Sequence, residues 1–237
     1  MRFLVLMFVG SGWAAGVFAC KSTADVEAKA EPAKPAHQAL ESPSPAAALG
    51  GAWEDLMPKA DLAGYRRLPL DPLADKAVWQ VRADGTLFID GVGAKEMLLT
   101  EREYTDGVFH VEWRFLPSQA TPPVYNGGVY VRTPFDGKTW VQLQVAHADK
   151  PPVVGDLIAQ VPGNTERINV FQLEPSPAAA IGEWNTYDVS ARGKAIELSV
   201  NGKRTAAWAD CPMPSGHLGL QAEGSPIEVR ALRFRPL

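Results

Sequence analysis

The chain has 237 residues, 46% of them apolar and 21% charged, and a formal net charge of −4. That balance excludes a collagen-like, a wholly disordered or a strongly basic nucleic-acid-binding chain. Its 21 glycines and 20 prolines exceed the roughly 12% of average usage, and with seven Trp, five Tyr and nine Phe they favour an all-β protein with many turns and a large core.

In chain order, the first element reads as an export signal. Arg2 precedes an uncharged apolar run over 3–19 that ends in small residues, the pattern of a signal peptide over 1–19. The run also reaches the ~17-residue lower limit for a membrane span. An uncleaved anchor is therefore one alternative and a soluble secreted protein another, although Gly10, Gly12 and Gly16 weaken a span. Val17-Phe18-Ala19-Cys20 resembles a bacterial lipobox. The resemblance makes Cys20 the lipid attachment residue and implies a chain anchored by lipid alone, at the outer membrane or its periplasmic side. Residues 21–50 have no aromatic residue and only Val26, Leu40 and Leu49 as large aliphatics, too little to offset the entropy of ordering. Residues 20–50 thus read as a lipidated cysteine and a disordered Ala/Pro-rich tether. With Cys20 lipidated, Cys211 has no intrachain partner and no disulfide framework forms.

Residues 51–237 suffice for one domain. VWQVR (78–82) and TLFID (86–90) flank Ala83-Asp84-Gly85, a hairpin turn. VFHVEWRF (108–115) alternates, with Val111, Trp113 and Phe115 on one face and His110, Glu112 and Arg114 on the other. GVYVR (128–132) and WVQLQV (140–145) keep the same period. WNTYDVSA (184–191), IELSV (196–200) and KRTAAW (203–208) follow, the last two joined by Asn201-Gly202, a strong hairpin signal. GHLGLQA (216–222) and IEVRALRF (227–234) close the chain. About a dozen short strands without a helical period predict an all-β, two-sheet antiparallel sandwich of jelly-roll type.

The polar positions of these strands include Glu112, Arg114, Tyr130, Arg132, Gln142 and Gln144, with Asn126 just ahead of GVYVR. Long planar hydrogen-bonding side chains beside aromatics suit a sugar, whose hydroxyls need donors and acceptors and whose apolar face stacks on a ring. A network of cross-strand salt bridges explains the same residues equally well. Tyr130 and Trp140 are the ring-stacking candidates; Trp184 reads as core, Asn185 as architectural and Asn201-Gly202 as turn chemistry.

LLTEREYTDGVFHVEWRF (98–115), NGGVYVR (126–132), WVQLQV (140–145), IGEWNTYDVSARGKAIELSVNGK (181–203) and GHLGLQAEGSPIEVRALRFRPL (216–237) together resemble the 3-keto-disaccharide hydrolase domain and its 3-keto-glycoside lyase relatives. The resemblance implies a concanavalin A-like fold, an extracytoplasmic place and a carbohydrate partner. It also implies a chemistry: a ketone at C3 acidifies the C2 hydrogen, a base removes it, the C1 substituent leaves, and water adds. Carried onto this chain, it gives Glu112, Arg114, Asn126, Arg132, Gln144, His217, Gln221 and Arg230 as site residues. The departures are Gln142 where relatives carry an acid, Ala146-His147-Ala148 where Asp is common, and Ala222-Glu223-Gly224 in place of an Asp-His pair.

From these residues Glu112 is the leading base, or else a charge partner orienting Arg114 or Arg132. Arg132 and His217 complete the catalytic set. Arg114, Asn126, Tyr130, Gln142, Gln144, His147, Gln221, Glu223 and Arg230 would hold the sugar, with His147 and Glu223 substituting for the missing Asp-His pair. The four histidines show no metal-ligand spacing, so no cofactor is expected; a loosely bound divalent ion shared with substrate stays open. Three functions compete: an enzyme acting on oxidised glycosides, a carbohydrate-binding module that has lost its acids, and a laminin-G-like adhesive domain. Both sugar functions require Glu112, Arg132, Gln142 and Gln144 to converge, with His147, His217 and Gln221 at the rim.

Overall fold

The computed structural model describes residues 50–71, 78–146, 153–170, 173 and 175–237. The signal, the lipobox with Cys20, the tether and His147 lie outside them. Alternating apolar residues and glycine-rich turns produce fifteen strands among the described residues. They are β1 (Glu54–Asp55), β2 (Tyr65–Pro69), β3 (Trp79–Val81), β4 (Leu87–Ile89), β5 (Lys95–Tyr104), β6 (Gly107–Phe115), β7 (Tyr125–Thr133) and β8 (Trp140–Ala146). The chain continues through β9 (Leu157–Gln160), β10 (Ile168–Val170), β11 (Asn185–Arg192), β12 (Ala195–Val200), β13 (Lys203–Trp208), β14 (Gly216–Gly224) and β15 (Ile227–Pro236).

Sheet A runs β13-β12-β11-β6-β15-β4-β3, with β1 also paired to β15; sheet B runs β10-β9-β8-β7-β14-β5-β2. Every pairing is antiparallel. This is the two-sheet sandwich that the alternation predicts. The turns form by the expected chemistry. Asn201 and Gly202 both have positive φ, 48° and 78°, the conformation a two-residue primed turn needs between Val200 and Lys203. Gly85, at φ 85°, closes the three-residue loop between Arg82 and Thr86.

The core lies between the sheets. Phe109, Val111, Trp113, Tyr187 and Val189 enter it from sheet A, and Val129, Val131, Leu143, Val145, Leu218 and Leu220 enter it from sheet B. Because side chains alternate across a strand, this packing decides where every polar neighbour points. His110, Glu112 and Arg114 face outward from sheet A, whereas Asn126, Gln142, Gln144, Gln221 and Glu223 face outward from sheet B. One side chain ties the layers through the core: the Tyr187 hydroxyl on β11 donates to the Gln144 carbonyl on β8 at 2.6 Å.

The ten-residue β5 escapes the sequence pattern for a physical reason. A second apolar cluster of Met97, Leu99 and Tyr130, with Leu68, Leu70, Phe135 and Trp140 packed on it, covers part of the outer face of sheet B. Leu98 meanwhile points into the main core. A strand buried on both sides shows no period-2 signal.

Candidate functional site

Register brings the polar residues of sheet B together. Glu223 lies opposite Asn126 on β7 and Lys95 on β5, while Gln221 lies opposite Gly128 and Met97. Gly128 in turn faces Gln144 on β8, and Gln142 lies opposite Tyr130. The side chains line an open cavity of about 250 Å³ bounded by Lys95, Asn126, Trp140, Gln142, Gln144, Ile158, Arg167, Gln221 and Glu223.

A chain of hydrogen bonds runs across its floor. The two N–H groups of Gln142 Nε2 are shared among three acceptors, Gln144 Oε1 at 2.9 Å, Gln221 Oε1 at 3.0 Å and the Gly127 carbonyl at 3.2 Å. Gln144 Nε2 donates onward to Asn126 Oδ1 at 2.6 Å, and Gln221 Nε2 to Glu223 Oε2 at 2.9 Å. Glycine at 128 makes this possible, since a Cβ there would sit 2.5–2.7 Å from the Gln142 side chain.

Among the described residues, Glu223 is the one carboxylate lining the cavity. Burial pushes its carboxyl above the usual range; Lys95 opposes the shift and Asp71 adds to it. A carboxylate with a raised pKa, beside a cation and open to a cavity, is better suited to accept and return a proton than an exposed one. Asn126 and the glutamines offer donors and acceptors for hydroxyls, and Trp140 offers a ring at one edge.

The residues expected to converge divide between two faces. Asn126, Gln142, Gln144, Gln221 and Glu223 meet on sheet B, but Glu112, Arg114 and Arg230 lie outside sheet A. There Glu112 accepts from Arg230 Nε at 2.6 Å and contacts His110 Nε2 at 3.3 Å. Arg114 bonds Glu228 at 2.7 Å. Both guanidiniums stack on Trp184, Arg114 at 4.5 Å and Arg230 at 4.3 Å from the ring centroid, so Trp184 is a partly buried outer-face residue rather than core. The cross-strand ion-pair network thus accounts for this face. Burial pushes the Glu112 carboxyl up, but the bonds and charges of Arg230 and His110 together carry it below its usual range. That depresses its basicity.

Three further expectations change place. Arg132 is 1% exposed and spends its guanidinium on the Gly193 carbonyl (2.5 Å), the Met213 carbonyl (3.1 Å) and Asp106 (2.9 Å). It is a structural clamp, reached because β7 turns at Arg132 with φ 48°. His217 is 5% exposed and stacks on Phe135 at 3.7 Å, outside the cavity lining. Tyr130 is buried beneath the apolar cluster and presents no ring to a ligand. The sequence reading misses Lys95, Ile158 and Arg167. Lys95 follows Gly93 at the start of the doubly buried β5, and only the register with Glu223 reveals it. Among the described residues, no group of three or more His, Cys, Asp or Glu is placed to hold a metal ion.

Comparison with known proteins agrees with this architecture. A candidate glycosyl hydrolase from Parabacteroides distasonis ATCC 8503 superposes with a TM-score of 0.57 at 21% identity, covering 78% of this chain and all of that one. The carbohydrate-binding module CBM66 of Bacillus subtilis gives 0.55 at 11% identity, over 73% of this chain and 95% of its own. A seed lectin of Lotus tetragonolobus gives 0.52 at 11% identity, over 77% and 97%. At such identities the likeness is one of fold. No curated protein matches the sequence. The family described as the 3-keto-alpha-glucoside-1,2-lyase-like domain matches residues 52–235, nearly the whole of the sandwich that carries the cavity, and the chain belongs to that family.

Proposed function

We propose that the outer face of sheet B binds an oxidised glycoside and that Glu223 is the group that moves the proton. The observation that carries this reading is the convergence of three glutamines, Asn126 and Lys95 around the Glu223 carboxylate, whose proton affinity burial has raised. Family membership and the lectin-like fold support a sugar as ligand.

The chemistry follows from the ketone. The Glu223 carboxylate takes the C2 proton, and the C2–H electrons become an enolate with its charge on O3. Return of those electrons expels the C1 substituent and leaves a C1=C2 double bond conjugated with the ketone. The departing oxygen takes a proton from protonated Glu223 or from the Lys95 ammonium. Addition of water at C1 then completes net hydrolysis; without it the reaction ends as a lyase. Lys95, opposite Glu223 in register, is placed to favour negative charge in the cavity.

A second reading is favoured by Gln142. Four amides against one carboxylate make a surface better equipped for holding hydroxyls than for proton transfer, as in a binding module. Turnover separates the two. Glycosides with and without a 3-keto group, assayed by sugar release and enone absorbance, should show turnover of the keto forms alone. Saturable binding without turnover would instead establish the binding module.

We also propose, from the apolar run and lipobox-like Val17–Cys20, that the domain is exported and held to a bacterial membrane by lipid on Cys20. Radiolabelled palmitate should mark the wild-type chain and not Cys20→Ser; equal labelling of both would refute it.

A further inference from the structure

We propose that Gln142 is a positioning residue: it fixes the direction of the hydrogen bonds from Asn126 to Glu223 and thereby keeps Glu223 an acceptor. The inference rests on Glu223 being the proton-moving group, and it assigns a reason for an amide at position 142.

Gly127 C=O can only accept, so the Gln142 amide must turn its NH2 toward it, at 3.2 Å. The same NH2 faces Gln144 and Gln221, so both must present their oxygens to it. Each neighbour's own NH2 is then forced outward. Gln144 donates to Asn126 and Gln221 donates to Glu223 Oε2. The far end closes consistently, because a carboxylate is acceptor-only. Gln142 is itself buried, held over the missing Cβ of Gly128, and has little freedom to turn. The other groups bearing on Glu223 are Lys95 from β5, Asp71 beyond β2, the Tyr130 phenol on β7, and Arg167 lining the same cavity.

An acid in place of this amide would reverse the arrows to Gln144 and Gln221 and leave the Gly127 carbonyl without this donor. A carboxylate there could not donate, so Gln144 and Gln221 would turn their NH2 groups toward it. Gln221 would then show its oxygen to Glu223 across about 2.9 Å, a contact that holds only if Glu223 carries the proton. The second negative charge nearby would add to the effect.

The test is a carboxyl 13C NMR titration of the full protein, with the Glu223 signal assigned by its loss in Glu223→Gln. Gln142→Glu should raise the Glu223 pKa by about one unit or more. Gln142→Met, which buries no charge and releases Gln221, should raise it by less. Adding Gln221→Met to Gln142→Glu should shrink the shift, as expected of residues coupled in one network. Titration of Glu223 within about 0.2 units of wild type in both Gln142 variants would overturn the proposal; so would a full shift surviving in the double variant. If Gln142→Glu does not fold, Gln142→Met decides alone. Because the titration needs no substrate, its outcome is independent of turnover. A shifted pKa in a protein that turns over no keto-glycoside would sink the enzymatic reading and leave the positioning role standing.

Discussion

Arg132 illustrates how a functional-looking residue can be structural. Its side chain is almost wholly buried, and its partners come from three separate segments, at 106, 193 and 213. Asp106 also accepts the Gly193 N–H at 3.0 Å, so the clamp is shared. Arg132→Met should therefore cost about 1–3 kcal/mol in denaturant unfolding, the range for leaving buried acceptors without their donor; a loss within ~0.5 kcal/mol would show the clamp to be idle. His110, on the other sheet, makes a prediction about pH. The Asp188 carboxylate at 2.7 Å raises its pKa, burial opposes, and Glu112 adds to the rise. A raised folded pKa means the stabilisation is complete below the unfolded value of about 6.5 and is lost as pH climbs through the folded value. Melting temperature should fall as pH rises above about 6.5 and through the raised folded value, and His110→Asn should flatten that slope. An unchanged slope in the variant would assign the pH dependence elsewhere.

At the scale of strands, the site is a property of register and of where glycines stand. Gly128 and Gly219 both face outward from sheet B, but the space over them differs. A Cβ at 128 meets side-chain atoms of Gln142 alone, whereas one at 219 runs into the Leu98 backbone carbonyl as well as the Leu99 side chain. Gly128→Ala should thus lower thermal stability less than Gly219→Ala while displacing Gln142, lowering sugar affinity or turnover at least tenfold. Gly219→Ala should lower the melting temperature by several degrees, since backbone must move. Equal effects of the two on melting would contradict this distinction. The Tyr187 hydroxyl anchors β8 from the opposite sheet, and Tyr187→Phe should cost about 0.5–1.5 kcal/mol. Strands with one buried face, such as 108–115 and 196–200, were legible because alternation marks them. β5 was not, being buried on both sides, and β9 and β10, only four and three residues long, carry too few positions for a period to show.

For the whole molecule, alternation tells which residues leave the core, but not which of two sheets they leave from. Glu112 and Gln142 both read as outward-facing polar residues, and they are; topology then sends β6 into sheet A and β8 into sheet B. No local pattern contains that information, because it is set by pairing between segments far apart in sequence. The amides at 142, 144 and 221 were readable as a hydrogen-bonding set. Glu223 was readable as a substitute for the missing Asp-His pair, but its raised proton affinity was not legible, because it depends on burial, with Lys95 across the strand opposing it. The division of polar residues between two outer faces is also what makes the central claim easy to test. Turnover of a 3-keto-glycoside should be compared in wild type, Glu223→Gln and Glu112→Gln, with melting temperatures as a check on folding. The account predicts a loss of about 10²-fold or more in kcat for Glu223→Gln, the scale of a lost general base, and near-wild-type turnover for Glu112→Gln. Activity that survives in Glu223→Gln and disappears in a folded Glu112→Gln would contradict it and move the site to sheet A.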